Sequence, residues 1–326
     1  MKNICRIKTK TIRQKIALYN TYAEICAPIK SIKHSELIDL IDCTHYLVDT
    51  TDQLILLLSK KINIKDCYFG SFKSVFDLKN AIEKGITKFV VASDYEMSMI
   101  LSNASQIDEI LLVINISEII GEGCISRSGF NLDEIDYAIK HIYNKCCNIG
   151  ISFHIQSPYK SFKNYYLILK NILPICKKYN LKTINLGGIT IEHLEQLCEN
   201  LLELKTFHLI VEPGNSLFSD AMTIETFVTY VDLNKKIIIL NIGIYNGLLD
   251  CVILKNTIDI YSRKSGNLLE FKVYGPSSDN LDFLGVYKFS DSIKPGDYVI
   301  IKNCGIYALF LETKFYPCVP LKIILE

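Results

Sequence analysis

Through its first two thirds the chain alternates short apolar runs with stretches of helical spacing. Residues 4–7 are a short run. Residues 9–23 follow, with Ile12, Ile16, Leu18 and Tyr19 on one side, the repeat of an amphipathic helix. A second run at 25–29 leads to Lys30. The pattern then predicts helix at 35–41, strand at 45–48 and helix at 51–58. It continues with strands at 66–69 and 88–92, each followed by a helix, at 75–84 and 95–101. Next come strand 110–116, helix 132–145, strand 150–155 and helix 165–179. The last repeats are 183–186, 191–202 and 209–211. About eight or nine strand–helix units in ~230 residues is the tempo of a (β/α)8 TIM-type barrel. A doubly wound open sheet is disfavoured, because no GxGxxG turn opens a helix.

Near Lys235 the pattern changes. Runs at 237–240, 251–254, 268–274, 298–302 and 307–312 are strand-like and separated by Gly, Asn, Asp and Pro. The expectation is an α/β chain in two parts: a barrel over 1–234 and a C-terminal all-β domain over 235–326. At 326 residues, 49% hydrophobic, the chain can bury a large core. A net charge of +1 argues against nucleic-acid binding through a global basic field. Twelve cysteines are scattered without metal-type CxxC pairs, and Cys146-Cys147 falls in a helical pattern. With no leader pattern and no apolar run of membrane length, they read as reduced thiols of a cytoplasmic protein.

Polar residues at the predicted strand ends carry the candidate chemistry. The run 208–211 delivers Glu212, and Pro213-Gly214 turns at once. Barrels of this type place catalytic acids at strand C-termini. Lys30 follows Ala27-Pro28-Ile29, and a lysine in an apolar mouth suits a Schiff-base nucleophile. His154 ends the run 151–153 and could stack on a planar ring. Ser157 could donate to a phosphate. Gly187-Gly188 would offer bare backbone N–H groups, a generic anion cradle. Each has a plainer reading: a surface lysine, a hydrogen-bonded core histidine, a solvated acid. Together they are the parts of a pyridoxal 5'-phosphate site.

Here the chain resembles the fold-type III pyridoxal-phosphate enzymes with an alanine-racemase-like barrel, and within them the ornithine/diaminopimelate/arginine decarboxylase family. Residues 153–157, Phe-His-Ile-Gln-Ser, are similar to the family's FHVGS. Residues 185–189, Asn-Leu-Gly-Gly-Ile, are similar to DIGGG, and 211–215 resemble the EPGR turn. Residues 274–279, Tyr-Gly-Pro-Ser-Ser-Asp, resemble the GPxCD loop, and 296–298 through 305–307 resemble the GDW…GAY ending. The resemblance covers nearly the whole chain in order. It implies Lys30 as the Schiff-base lysine, with Lys73 as the rival. It also implies His154 on the cofactor face, and Ser157, Gly187, Gly188 and Tyr307 at the phosphate, with Gly214 and Asn215 in the adjoining turn. Glu212 would stand at the pyridine nitrogen. Asp279 would reach the partner's site in a homodimer.

The departures from the family text are specific. Asn215 stands where the family has arginine, and Ile189 replaces the third glycine. Leu47 falls at an expected acid and Val113 at an expected arginine. Ser278 takes the place of the protonating cysteine. Lys255 falls where an acid binds the distal amine of ornithine, which argues against a diamine precursor and suits a substrate with an anionic tail. The strand that usually completes the β domain from the N-terminal side is expected to be absent. Two functions remain open: L-amino-acid α-decarboxylation through Lys30, or a catalytically degenerate homologue acting as a binding or regulatory partner.

Overall fold

The computed structural model describes residues 2–70, 74–121, 124, 126–143, 148–253, 258–311, 313, 315, 316 and 321–326. The chain forms two compact units. The first strand, β1 (Ile4–Ile7), belongs to the sheet unit. The next eight close into a parallel barrel within Gln14–Ser216. They are β2 (Glu24–Pro28), β3 (His45–Val48), β4 (Cys67–Phe69), β5 (Lys88–Val91), β6 (Glu109–Val113), β7 (Asn148–Ser152), β8 (Thr183–Asn185) and β9 (His208–Val211). The expected (β/α)8 barrel is therefore present, with β9 pairing β2 to complete the ring.

Local chemistry fixes where the intervening helices begin. Thr50, Ser74, Ser93, Ser161 and Thr190 each accept a hydrogen bond from the backbone N–H three residues on. That satisfies one of the orphan donors of a helix N-terminus, a contribution of about 1 kcal/mol each. Inside the ring, alternate residues of each strand stack in layers. Cys26, Leu47, Tyr68, Leu111 and Ile210 form one apolar layer, with Val90 against it. Leu47, the position of an expected acid, is thus a core residue. Toward the strand N-termini the layer is polar. Glu109 accepts the Tyr68 hydroxyl at 2.6 Å and the Thr183 hydroxyl at 2.9 Å.

The second unit is Met1–Arg13 with Leu217–Glu326. The strands following the barrel in the chain are β10 (Met222–Asp232), β11 (Ile237–Leu240), β12 (Asp259–Tyr261), β13 (Leu268–Tyr274), β14 (Phe283–Ser290), β15 (Tyr298–Lys302) and β16 (Lys322–Leu325). With β1 they make a mostly antiparallel sheet in the order β12-β15-β10-β11-β13-β14, and β1 joins β10 and β16.

The expected division at 234/235 is corrected: the units separate after Ser216, and the N-terminal segment returns to the sheet. The reason lies in β10. From Met222 to Val228 its residues alternate buried and half-buried, the period of a strand covered on one face. It pairs with β1 through Ile4↔Glu225 to Ile7↔Met222, so the N-terminal strand expected to be missing is β1. Two expected strands are also corrected. The apolar run near 251–254 is helical at Leu249–Ile253, and the 307–312 region holds a one-turn helix at Ile306–Leu309. Among the described residues no helix is long and apolar enough to cross a membrane.

Candidate active site

The layer above the apolar one, at the C-terminal mouth, gathers the strand-end residues. Two steps beyond Leu47 stands Asp49; two beyond Ile210 stands Glu212; two beyond Thr183 stands Asn185. The period of two sends all three to the same side as the layer beneath. Lys30 lies in a one-turn helix, Ile29–Ser31, that ends β2. Its Nζ pairs with Asp49 Oδ2 at 3.5 Å, and its side chain is 52% accessible. Its charge acts on both Glu212 and His154, which places the three in one mouth.

Glu212 is half-buried, and burial raises its carboxyl above the usual range, against the Asn185 amide and Lys30, which lower it. The Asn185 Nδ2–H donates to Glu212 Oε1 at 2.6 Å, and Asn185 Oδ1 accepts from the Gly187 N–H at 2.9 Å. One amide therefore fixes the acid and the glycine turn together. His154 opens to the mouth but is flanked by protein. Burial, then Lys160 and Lys30, lower its imidazole to about 4, so the ring is neutral near pH 7. Its Nδ1 accepts the Gly188 N–H at 3.4 Å.

The glycine turn is required by geometry. Gly187 has φ +61°, and a Cβ there would lie 2.6 Å from the Phe153 carbonyl oxygen and 2.9 Å from His154 Nδ1. At Gly188 a Cβ would come within 3.2 Å of both His154 and the Lys160 ammonium. The expectation of bare N–H groups is corrected. Gly187, Gly188 and Ile189 donate to Asn185, His154 and the Gly187 carbonyl. What the turn has beside it is a cation. Lys160 Nζ donates to the Gly188 carbonyl at 2.6 Å, and burial lowers its pKa. Among the described residues no carboxylate pairs with it.

Ser157 begins the short turn that carries Lys160. Gly214 approaches Ser31, whose Oγ would stand 3.1 Å from a Cβ, and Asn215 opens the helix Asn215–Phe218. Ser278, Asp279 and Tyr307 belong to the sheet unit. There Asp279 accepts the Tyr245 hydroxyl at 2.8 Å and the Leu281 N–H at 2.9 Å. Lys73 and Lys255 lie outside the described residues, as do Cys146 and Cys147. Sequence reasoning missed Asp49, Asn185 and Lys160. Asp49 could have been found by counting two residues on from Leu47 in the apolar layer, and Asn185 by the same step from Thr183.

A lysine amine, a half-buried carboxyl, a neutral imidazole and a partly buried cation beside a glycine turn fit a pyridine ring carrying an aldehyde and a phosphate. Residues 45–305 match the family described as "Pyridoxal-dependent decarboxylase, C-terminal sheet domain". The chain is 24% identical to the diaminopimelate decarboxylase of Aquifex aeolicus, covering 90% of this chain and 78% of that protein. The arginine decarboxylase of Paramecium bursaria Chlorella virus superposes with a TM-score of 0.88 at 15% identity, covering 100% of this chain and 96% of the other. A diaminopimelate decarboxylase from Helicobacter pylori, solved with L-lysine, gives 0.89 at 18% identity, covering 100% and 92%. The chain belongs to the pyridoxal-dependent decarboxylase family of the ornithine/diaminopimelate/arginine type. Pyridoxal phosphate is its cofactor.

Proposed function

We propose that this protein is an L-amino-acid α-decarboxylase that carries its cofactor on Lys30. The observation that supports this most is the meeting of Lys30, Asp49, Glu212 and His154 at one barrel mouth. When bound, pyridoxal phosphate supplies the electron sink for the pair released as the Cα–carboxylate bond breaks. Lys30 Nζ is the covalent attachment point, and Asp49 is placed to exchange a proton with it. Glu212, held by the Asn185 amide, would pair with the pyridine nitrogen and favour its protonated form. Neutral His154 offers an uncharged face for stacking.

Lys160 supplies beside Gly188 the positive charge that Asn215 does not. An ammonium with one carbonyl partner in a partly buried site favours an anion, and the phosphate is the anion of this cofactor. Ser157, Gly187, Gly188, Gly214 and Asn215 complete that end. Ser278, Asp279 and Tyr307 keep the roles implied by the resemblance, including the homodimer in which Asp279 acts. Lys255 favours a substrate with an anionic tail over a simple diamine precursor.

The test is an absorbance spectrum with added pyridoxal phosphate, before and after borohydride, with peptide mapping. A reducible band on Lys30, lost in Lys30→Ala with activity down by roughly a thousandfold or more, is the expected result. A band on Lys73 would move the attachment point. The internal hydrogen bonds of Gly187 and Gly188 favour a second reading, a degenerate homologue acting as a regulatory partner. No band at saturating cofactor would select it.

A further inference from the structure

We propose that the opposite, N-terminal mouth of the barrel holds a divalent transition-metal site built by Glu24, His45 and His208, of the kind that takes Zn²⁺. These are the first residues of β2, β3 and β9. β2 pairs with both of the others; His45 lies opposite Cys26 and Glu24 opposite Ile210, so each histidine stands two positions out of register with Glu24 and, by the period of two, on the same side of its strand. His45 Nε2 and His208 Nε2 converge on one oxygen, Glu24 Oε2, at 3.1 and 3.2 Å. One ligand atom from each residue lies within 4.8 Å of the others. A tetrahedral zinc ion with bonds of about 2.0–2.1 Å sets its ligand atoms about 3.3 Å apart. Two of the three separations are already near that value, and a turn of the half-exposed His208 closes the third.

A second observation points to a cation. His45 is 6% exposed, and its Nδ1 is buried and makes no hydrogen bond among the described residues. If Nε2–H donates to Glu24, Nδ1 is a buried acceptor with nothing to accept. If Nδ1 carries the proton, the Nε2 lone pair faces a carboxylate oxygen. Either neutral tautomer leaves one nitrogen mismatched. A metal on Nε2 removes the conflict at that nitrogen and lets Nδ1 carry the ring's one proton, with the Asp66 backbone as a polar neighbour of the ring. Ligating histidines are oriented in this way.

The charge balance permits it. Glu24 and, deeper, Glu109 are acidic, against the Lys88 ammonium over the Tyr68 ring. Glu24 and His208 side chains are 42% and 40% accessible, so a water can fill the fourth position. Two imidazoles and one carboxylate select Zn²⁺ or Co²⁺ over Mg²⁺ and Ca²⁺. The competing arrangement is a proton on the imidazole in place of the metal.

The full chain, stripped with chelator, is titrated with Co²⁺ and by calorimetry with Zn²⁺. The expected result is one ion per chain, with a visible ligand-field spectrum and no thiolate charge-transfer band. His208→Ala and Glu24→Gln should each weaken binding about tenfold or more without changing the pyridoxal-phosphate spectrum. Absence of binding at micromolar metal, a thiolate band from the cysteines, or unchanged affinity in both variants would overturn the proposal. Should His208→Ala fail to fold, His208→Asn and the wild-type Co²⁺ spectrum decide.

Discussion

At the N-terminal mouth Glu109 receives two hydroxyl donors, from Tyr68 and Thr183. At the C-terminal mouth Glu212 receives the Asn185 amide, Lys30 pairs with Asp49 at 3.5 Å, and among the described residues Lys160 donates to the Gly188 carbonyl and pairs with no carboxylate. The same strands build both ends. What differs is how completely the polar atoms are met from within. A closed network such as that of Glu109 stabilises the barrel and offers a ligand nothing. An open one costs stability and becomes affinity when a partner of the right charge arrives. Within the N-terminal mouth the contrast recurs, because the β6–β8 side is closed, while on the β9–β2–β3 side His45 Nδ1 makes no hydrogen bond among the described residues.

That comparison can be broken by substitutions at each end. Glu212→Gln should reduce kcat by roughly a hundredfold or more, measured as CO2 release with a turned-over substrate, with little change in melting temperature. Lys160→Met should weaken pyridoxal-phosphate affinity about ten- to hundredfold in a fluorescence titration; unchanged affinity would show that the phosphate lies elsewhere. Tyr68→Phe should do the opposite, costing about 1–3 kcal/mol of stability in chemical denaturation while leaving cofactor affinity as it was. The smallest effect is on pH.

Because His154 falls from 6.5 to about 4 on folding, the unfolded chain takes up its proton first as the medium is acidified. This residue therefore lowers stability progressively between pH 6.5 and about 4, and does so no further below that. Its NMR titration should show no midpoint near 6.5.

The barrel was legible because strand and helix periods alternate cleanly and Ser or Thr caps many of the helices. The sheet unit was harder. Its strand β14, FLGVYKFS, exposes much of its length, so no apolar face announces it. The five residues Leu249–Ile253 are apolar in a run too short to separate helix from strand. Placing β1 and β10 required knowing that they pair across more than two hundred positions, which no local pattern records. At the site, Lys30, His154, Gly187 and Glu212 could be found at strand ends. Lys160 could not, since its importance depends on lying beside Gly188, 28 residues further on. The N–H groups of the glycine turn were misjudged for a related reason: their acceptors are the side chains of Asn185 and His154, whose rotamers a sequence does not display.

The parallel pairing of β1 with β16, Ile4 with Lys322 through Ile7 with Leu325, imposes an order on biosynthesis. A ribosome releases residues 4–7 ahead of the rest of this sheet, yet one neighbour of this strand does not exist until residues 322–325 emerge. The ring from β2 to β9, by contrast, needs nothing beyond residue 211. One edge of β1 therefore waits through more than three hundred residues of synthesis for its partner, and truncation before residue 322 leaves that edge uncovered.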